Sequence, residues 1–223
     1  MSAPAKIIEL RQLLAERFPQ TGRVPALVDS AARPTGLAAL DNLLGGGLPR
    51  GELTELVGEG GGSGSAQVIH QLLRQTAARG QFLALVDAAD SFDVDAVAPG
   101  LLARLLWARC ANAGEALKAA DFFLRDRNFP VVVLDLKLNP ATELRKIPSS
   151  VWFRLARLLE KNSAAVLVVT PQPLVGCAAW RVEVKNNLGI EALSQSPGEV
   201  VADLRFTVLR HAAVAEPEAA QAG

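Results

Sequence analysis

One-sided charge, cysteine clusters and long apolar runs are all missing from this 223-residue sequence. Lysine plus arginine equals aspartate plus glutamate at 23 each. That balance excludes a coat held on nucleic acid by net charge, though not a local basic patch. The two cysteines, Cys110 and Cys177, lie far apart in apolar stretches, so they read as buried free thiols and not as a disulfide or metal set. His70 and His211 have no acid-base companion at useful spacing, which removes both as catalysts. No apolar run reaches the ~20 residues of a membrane span. Met1 to Pro4 lead straight into a charged amphipathic segment, not a secretory signal. Together these absences predict a cytosolic protein without membrane contact. Half of the residues are hydrophobic, enough for one buried core.

Residues 1–34 read as a leading helix and arm. In Ala5 to Phe18 the apolar residues Ile7, Leu10, Leu13, Leu14 and Phe18 recur at helical spacing, and Pro19 and Gly22 end the pattern. Such a stripe must be buried, either against its own domain or as a partner-binding helix. Residues 35–209 form the expected core. Strands are predicted at Leu53–Val57, Phe82–Val86, Leu105–Ala108, Val131–Leu134 and Ala165–Val169. Helices are predicted at Ala66–Arg79, Gly114–Arg125 and Ser149–Lys161. Aliphatic strand runs alternating with helices give an α/β fold, a mostly parallel sheet flanked by helices. Val182–Lys185 and Val200–Leu209 alternate instead and predict antiparallel strands at the C-terminal end. Residues 210–223, rich in Ala, Glu and Pro, read as a disordered tail.

The strand ending at Val57 runs into Gly58-Glu59-Gly60-Gly61-Gly62-Ser63-Gly64-Ser65 and then a helix. A strand, a glycine-rich turn and a helix form an anion cradle, because backbone amides and the helix N-terminus converge on phosphate. The working motif is G-x-x-x-x-G-K-[ST], whose lysine reaches the β- and γ-phosphates. Here Ser63 stands at the second glycine, Gly64 at the lysine and Ser65 at the magnesium-holding hydroxyl. No lysine occurs between Lys6 and Lys118, so no small register shift restores one. Phosphoryl transfer rests on positioning and charge, so the loss falls most heavily on catalysis. Weak binding of ATP and magnesium through backbone amides, with no cofactor required, stays open at this point.

Several stretches resemble the RecA family in order and spacing. Thr35-Gly36-Leu37-Ala38-Ala39-Leu40-Asp41 and Gly46-Gly47-Leu48-Pro49-Arg50-Gly51 resemble its lead-in, and the degenerate loop follows. Leu85 to Ala89 resembles the strand end that carries its water-activating glutamate, a position held here by Ala89 with Asp90 following. Val131 to Asp135 resembles the strand ending in its metal-associated aspartate, and Leu167 to Gln172 the strand leading to its phosphate-sensing glutamine. The resemblance implies a RecA-like P-loop core in which Asp135 and Gln172 are residual ATPase-site positions. Lysine and glutamate are gone. Only Pro173 to Ala179 stand where the family has a long DNA-gripping loop.

Leu10 to Pro19 reads Leu-Arg-x-Leu-Leu-Ala-x-Arg-Phe-Pro and is similar to the start of the ImuA proteins. That resemblance implies a non-enzymatic partner in damage-induced translesion mutagenesis. Its partners would be an inactive Y-family-like polymerase subunit, an error-prone replicative-type polymerase, and RecA. SulA-like division inhibitors are the nearest alternative, and a weak nucleotide- or DNA-binding RecA paralogue is another. For DNA, Arg154, Arg157 and Lys161 form one basic helix stripe, with Lys137, Arg145 and Lys146 in the preceding loop. Trp152 and Phe153 beside the stripe face different ways, so at least one of them is expected to pack in the core.

Overall fold

The computed structural model describes residues 32–60, 62–186 and 203–212. The leading helix with Ile7, Leu10, Leu13, Leu14 and Phe18 lies outside the described residues, as do Gly61 and the tail beyond residue 212. In chain order the elements are β1 (Ala32–Arg33), α1 (Ala38–Leu43), β2 (Leu48–Pro49), β3 (Leu53–Val57), α2 (Ser65–Ala78), β4 (Leu83–Asp87), α3 (Pro99–Leu102) and β5 (Leu105–Arg109). They continue with α4 (Ala113–Asp126), β6 (Val131–Asp135), α5 (Ala141–Leu144), α6 (Ser149–Glu160), β7 (Ala165–Thr170), β8 (Trp180–Asn186) and β9 (Leu204–His211).

Seven strands form one sheet in the order β5-β4-β6-β7-β3-β8-β9, and β1 and β2 pair separately. Neighbours from β5 to β8 run parallel; β9 is antiparallel to β8. Both faces are covered, which is why β3, β4 and β7 are buried at every residue and read as unbroken aliphatic runs. Along β6 the side chains alternate. Val131 and Val133 pack with Leu72 and Leu73 of α2, while Val132 and Leu134 turn to the opposite face. There α4 lies against β6, with Phe123 edge-on to Phe129 at 5.4 Å. Leu134 is fully buried, so Leu134→Ala would cost about 2–5 kcal/mol.

The lead-in residues serve the fold directly. Thr35 donates both its amide and its hydroxyl to Asp41 Oδ1 at 2.7 Å, clamping the start of α1. The antiparallel expectation for Val182–Lys185 holds in its pairing with β9, while β8 also runs parallel to β3 on its inner side. Strand β9 reaches His211, which stacks on Trp180 at 3.7 Å. The cysteines are half-buried, and burial pushes the Cys110 thiol up to about 11.

No helix among the described residues is long and apolar enough to cross a membrane.

Candidate functional site

Parallel strands gather their C-terminal ends along one edge, where loops collect functional groups. Val57, Asp87, Asp135 and Thr170 end β3, β4, β6 and β7 on that edge, Val57 opposite Thr170 and Asp87 opposite Asp135. Gly58 leaves β3 there, its amide donating to the Thr170 carbonyl at 2.9 Å. The loop then turns through glycines with positive φ at Gly60, Gly62 and Gly64, and Gly64 is the N-cap of α2. Glu59 is exposed at the tip, while Ser63 and Ser65 are buried.

Some features suit a phosphate-binding loop and others oppose it. Glycine conformations, a following fourteen-residue helix and Ser65 at its first position suit it. The Gly64 side opposes it. A Cβ on Gly64 would lie 2.3 Å from Leu204 Cδ2 and 3.5 Å from Val184 Cγ2, so a side chain there requires the end of the Leu204 side chain to shift. Ser63 opposes it too, because its hydroxyl turns inward onto Gly58, where a Cβ would meet the Ser63 Oγ at 2.4 Å. The loop carries no lysine of its own, and the Gly64 position has a left-handed backbone that side-chain-bearing residues rarely adopt.

A lysine does reach the loop, from another strand end. Lys137, two residues past β6, donates its ammonium to Ser63 Oγ at 2.6 Å. Burial lowers the Lys137 pKa, and the neighbouring Asp135 opposes that shift. Lys137, expected beside DNA, is thus placed against the loop. Asp135 accepts the Lys137 amide at 3.0 Å, and its carboxyl is pushed up to about 6. Burial is the main cause and Asp87 adds to it; the Lys137 amide and ammonium pull the other way. Gln172 is half-buried just past β7 on the same edge.

The strand end resembling the glutamate position is committed to structure. Buried Asp87 accepts from the amides of Ser91 at 2.8 Å and Phe92 at 2.9 Å, and from Trp107 Nε1 at 3.3 Å. Ala89 is exposed, and Asp90 is forked by the Arg109 guanidinium. No group of three or more His, Cys, Asp or Glu side chains suited to a metal occurs among the described residues.

Sequence reasoning missed the strongest polar centre of the fold. Glu55, in the middle of β3, is fully buried. Its Oε1 accepts from Leu174 N at 2.6 Å, Val175 N at 3.0 Å and Thr170 Oγ1 at 3.1 Å. Its Oε2 pairs with Arg181 Nε at 2.5 Å. The pair ties down the short segment after Gln172. A charge inside the run Leu-Thr-Glu-Leu-Val was the available signal, since a buried carboxylate demands partners.

The basic residues divide. Arg154 pairs with Asp121 at 3.2 Å, and Arg145 Nε donates to the Ala141 carbonyl at 3.2 Å. Lys146, Arg157 and Lys161 are exposed, with no ion pair among the described residues. Trp152 is buried in the core, whereas Phe153 is 61% exposed.

Comparison with known proteins gives RecA proteins as relatives. The chain is 38% identical to the RecA protein of Methylococcus capsulatus over 128 residues, covering 55% of this chain and 37% of that protein. It is 34% identical over 119 residues to a plasmid RecA of Lactococcus lactis, covering 51% and 34%. Against the RecA of Mycobacterium tuberculosis it is 34% identical over 149 residues, 62% and 19%. The chain thus spans about a third or less of the length of these relatives. No family profile matches it. Sheet and similarity together make this an α/β RecA-like core.

Proposed function

We propose that this RecA-like chain is a non-enzymatic accessory protein of damage-induced translesion synthesis, acting through contacts with polymerase components and with RecA. The observation that carries the non-enzymatic part is the loop itself, where Gly64, with a φ of 97°, stands in place of the lysine and Leu204 crowds any side chain there. Without that cation beside the transferred phosphoryl group, part of the electrostatic stabilisation of its transfer is lost. Ala89 and the short Pro173–Ala179 segment remove two further parts of the ATP-driven DNA-binding cycle. A core that keeps its packing while losing its chemistry is kept for its surfaces. The ImuA-like start at Leu10 to Pro19 points to the mutagenic polymerase complex as the place those surfaces are used.

Co-purification of the full chain with the inactive Y-family-like subunit and the error-prone replicative-type polymerase tests this reading. Binding of at least one component supports it. Absence of binding to both and to RecA sinks it.

A second reading, a loop that holds nucleotide without hydrolysing it, is favoured by the Lys137–Ser63 contact, which places an ammonium at the loop from outside the motif. Calorimetry with Mg-ATP separates the two. Heat at millimolar nucleotide that disappears in Lys137→Met supports the second reading, and no heat removes it.

A further inference from the structure

We propose that the groove between the N-terminal ends of α4 and α6 binds a short acidic segment of a partner protein, anchored by one large apolar side chain. The proposal deepens the partner reading above by naming a surface, and it rests on that reading for its biological setting alone.

The groove has a volume of about 410 Å3. Leu117, Ile147, Pro148 and Val151 give it an apolar lining, which suits an aliphatic or aromatic anchor. Lys118, Lys146 and Arg154 stand exposed at its sides. Glu143 is the acid among the lining residues, and its carboxylate is already engaged. One oxygen accepts from the Ala113 amide at 2.7 Å and the other from Asn139 Nδ2 at 3.1 Å. Arg154 shares Asp121 with Arg125, while Lys118 and Lys146 have no ion pair among the described residues. The cationic side of the groove is therefore under-compensated. Helix α6 adds to it: Pro148 is its N-cap and offers no side-chain acceptor, so the positive end of the helix opens beside the groove.

Arg154 also lines an adjoining depression of about 360 Å3 with Ser150, Phe153 and Arg157. An extended segment leaving the groove would cross the exposed Phe153 ring and meet a further cation. Charge complementarity fixes the occupant as acidic, and the aliphatic lining fixes its anchor as apolar. Single-stranded nucleic acid would meet the cations but would bring its phosphates to an apolar floor, so a peptide fits better.

Selection of random twelve-residue displayed peptides on the full chain tests the proposal. The expected winners carry two or more acidic residues beside one large apolar residue. A synthetic winner, followed by fluorescence anisotropy, should bind at least tenfold more weakly to the double variant Lys118→Glu/Lys146→Glu and to Val151→Asp. Arg205→Glu, far away on β9, should leave binding unchanged. Because Lys118 and Lys146 are exposed, the double variant folds and keeps the test valid if Val151→Asp does not.

No enrichment, winners without acidic residues, or binding insensitive to the double variant would overturn the proposal. A labelled single-stranded dT20 that binds wild type and loses affinity with the double variant, where no peptide does, overturns it in favour of nucleic acid. Running the polymerase co-purification with the double variant separates the two claims. Retained polymerase binding with lost peptide binding leaves the partner reading standing on another surface. Peptide binding in a protein that captures no polymerase sinks the partner reading and keeps the groove.

Discussion

Leu204 of β9 stands where a side chain at Gly64 would go, with its Cδ2 2.3 Å from the position of a Gly64 Cβ. Gly64 also has a φ of 97°, a conformation that side-chain-bearing residues rarely adopt. A side chain at Gly64 therefore has to displace the end of Leu204 and adopt a strained backbone. Restoring the motif in sequence should not restore its chemistry. Gly64→Lys is expected to lower stability, by about 1–2 kcal/mol from the left-handed backbone and about 1–3 kcal/mol from overpacking. It should show no gain in ATP hydrolysis. Thermal denaturation and a phosphate-release assay on the same preparation check both parts; hydrolysis regained by this one change would mean that Leu204 yields readily.

The buried Glu55–Arg181 pair is expected to dominate the stability of the β3–β8 region. Glu55→Ala removes a carboxylate that satisfies two amides, a hydroxyl and a guanidinium, leaving the half-buried Arg181 without its counter-charge. Breaking a buried pair from one side typically costs about 3–5 kcal/mol. Urea denaturation should show such a loss for Glu55→Ala; a loss below about 1 kcal/mol would place the pair among ordinary surface bridges.

Asp135 should make stability fall with rising pH. Its carboxyl titrates at about 6 in the fold against an ordinary 3.8, so the folded state holds a proton that the unfolded state has released. The native state is penalised progressively between pH 4 and pH 6, and the penalty is constant above that. Asp135→Asn should be more stable than wild type by about 1–3 kcal/mol above pH 6. The advantage should vanish below pH 4. Denaturation midpoints across this range measure it, and a pH-independent difference would show that Asp135 ionises normally.

The basic stripe of Arg154, Arg157 and Lys161 can offer few contacts to nucleic acid, because Arg154 is already paired with Asp121. Arg157 and Lys161 remain. Binding of single-stranded DNA through this stripe should show a log–log salt slope no steeper than about −1.4, two phosphates at about 0.7 each. Arg157→Ala with Lys161→Ala should flatten it, and Arg154→Ala should change it little. Anisotropy titrations at several salt concentrations decide; a steep slope insensitive to these changes would place DNA elsewhere.

What the sequence revealed depended on how local the signal was. Aliphatic runs such as Val131–Leu134 and Ala165–Val169 identified buried parallel strands because burial on both faces leaves no polar alternation. The missing lysine at Gly64 was equally legible, being a property of eight consecutive residues. The crowding at that position was not, because Leu204 lies far along the chain and β9 reaches the loop only in the folded sheet. Lys137 read as part of a basic loop, since its spacing from Arg145 and Lys146 says nothing of which way its side chain turns. Val182–Lys185 alternated like an antiparallel strand because it lies near the sheet's edge, half-covered, although its inner neighbour β3 runs parallel. Trp152 and Phe153 behaved as helical geometry required, one buried and one exposed.

The most direct test of a loop without a lysine of its own is phosphate release from millimolar Mg-ATP by the full-length protein. It should be measured alone, with single-stranded DNA and with the polymerase components, beside Ser65→Ala and Lys137→Met. Release at the buffer rate in every mixture, the same for wild type and both variants, is the expected result. Release above that rate that both substitutions abolish would contradict the account, because Lys137 would then be serving as the lysine the loop lacks.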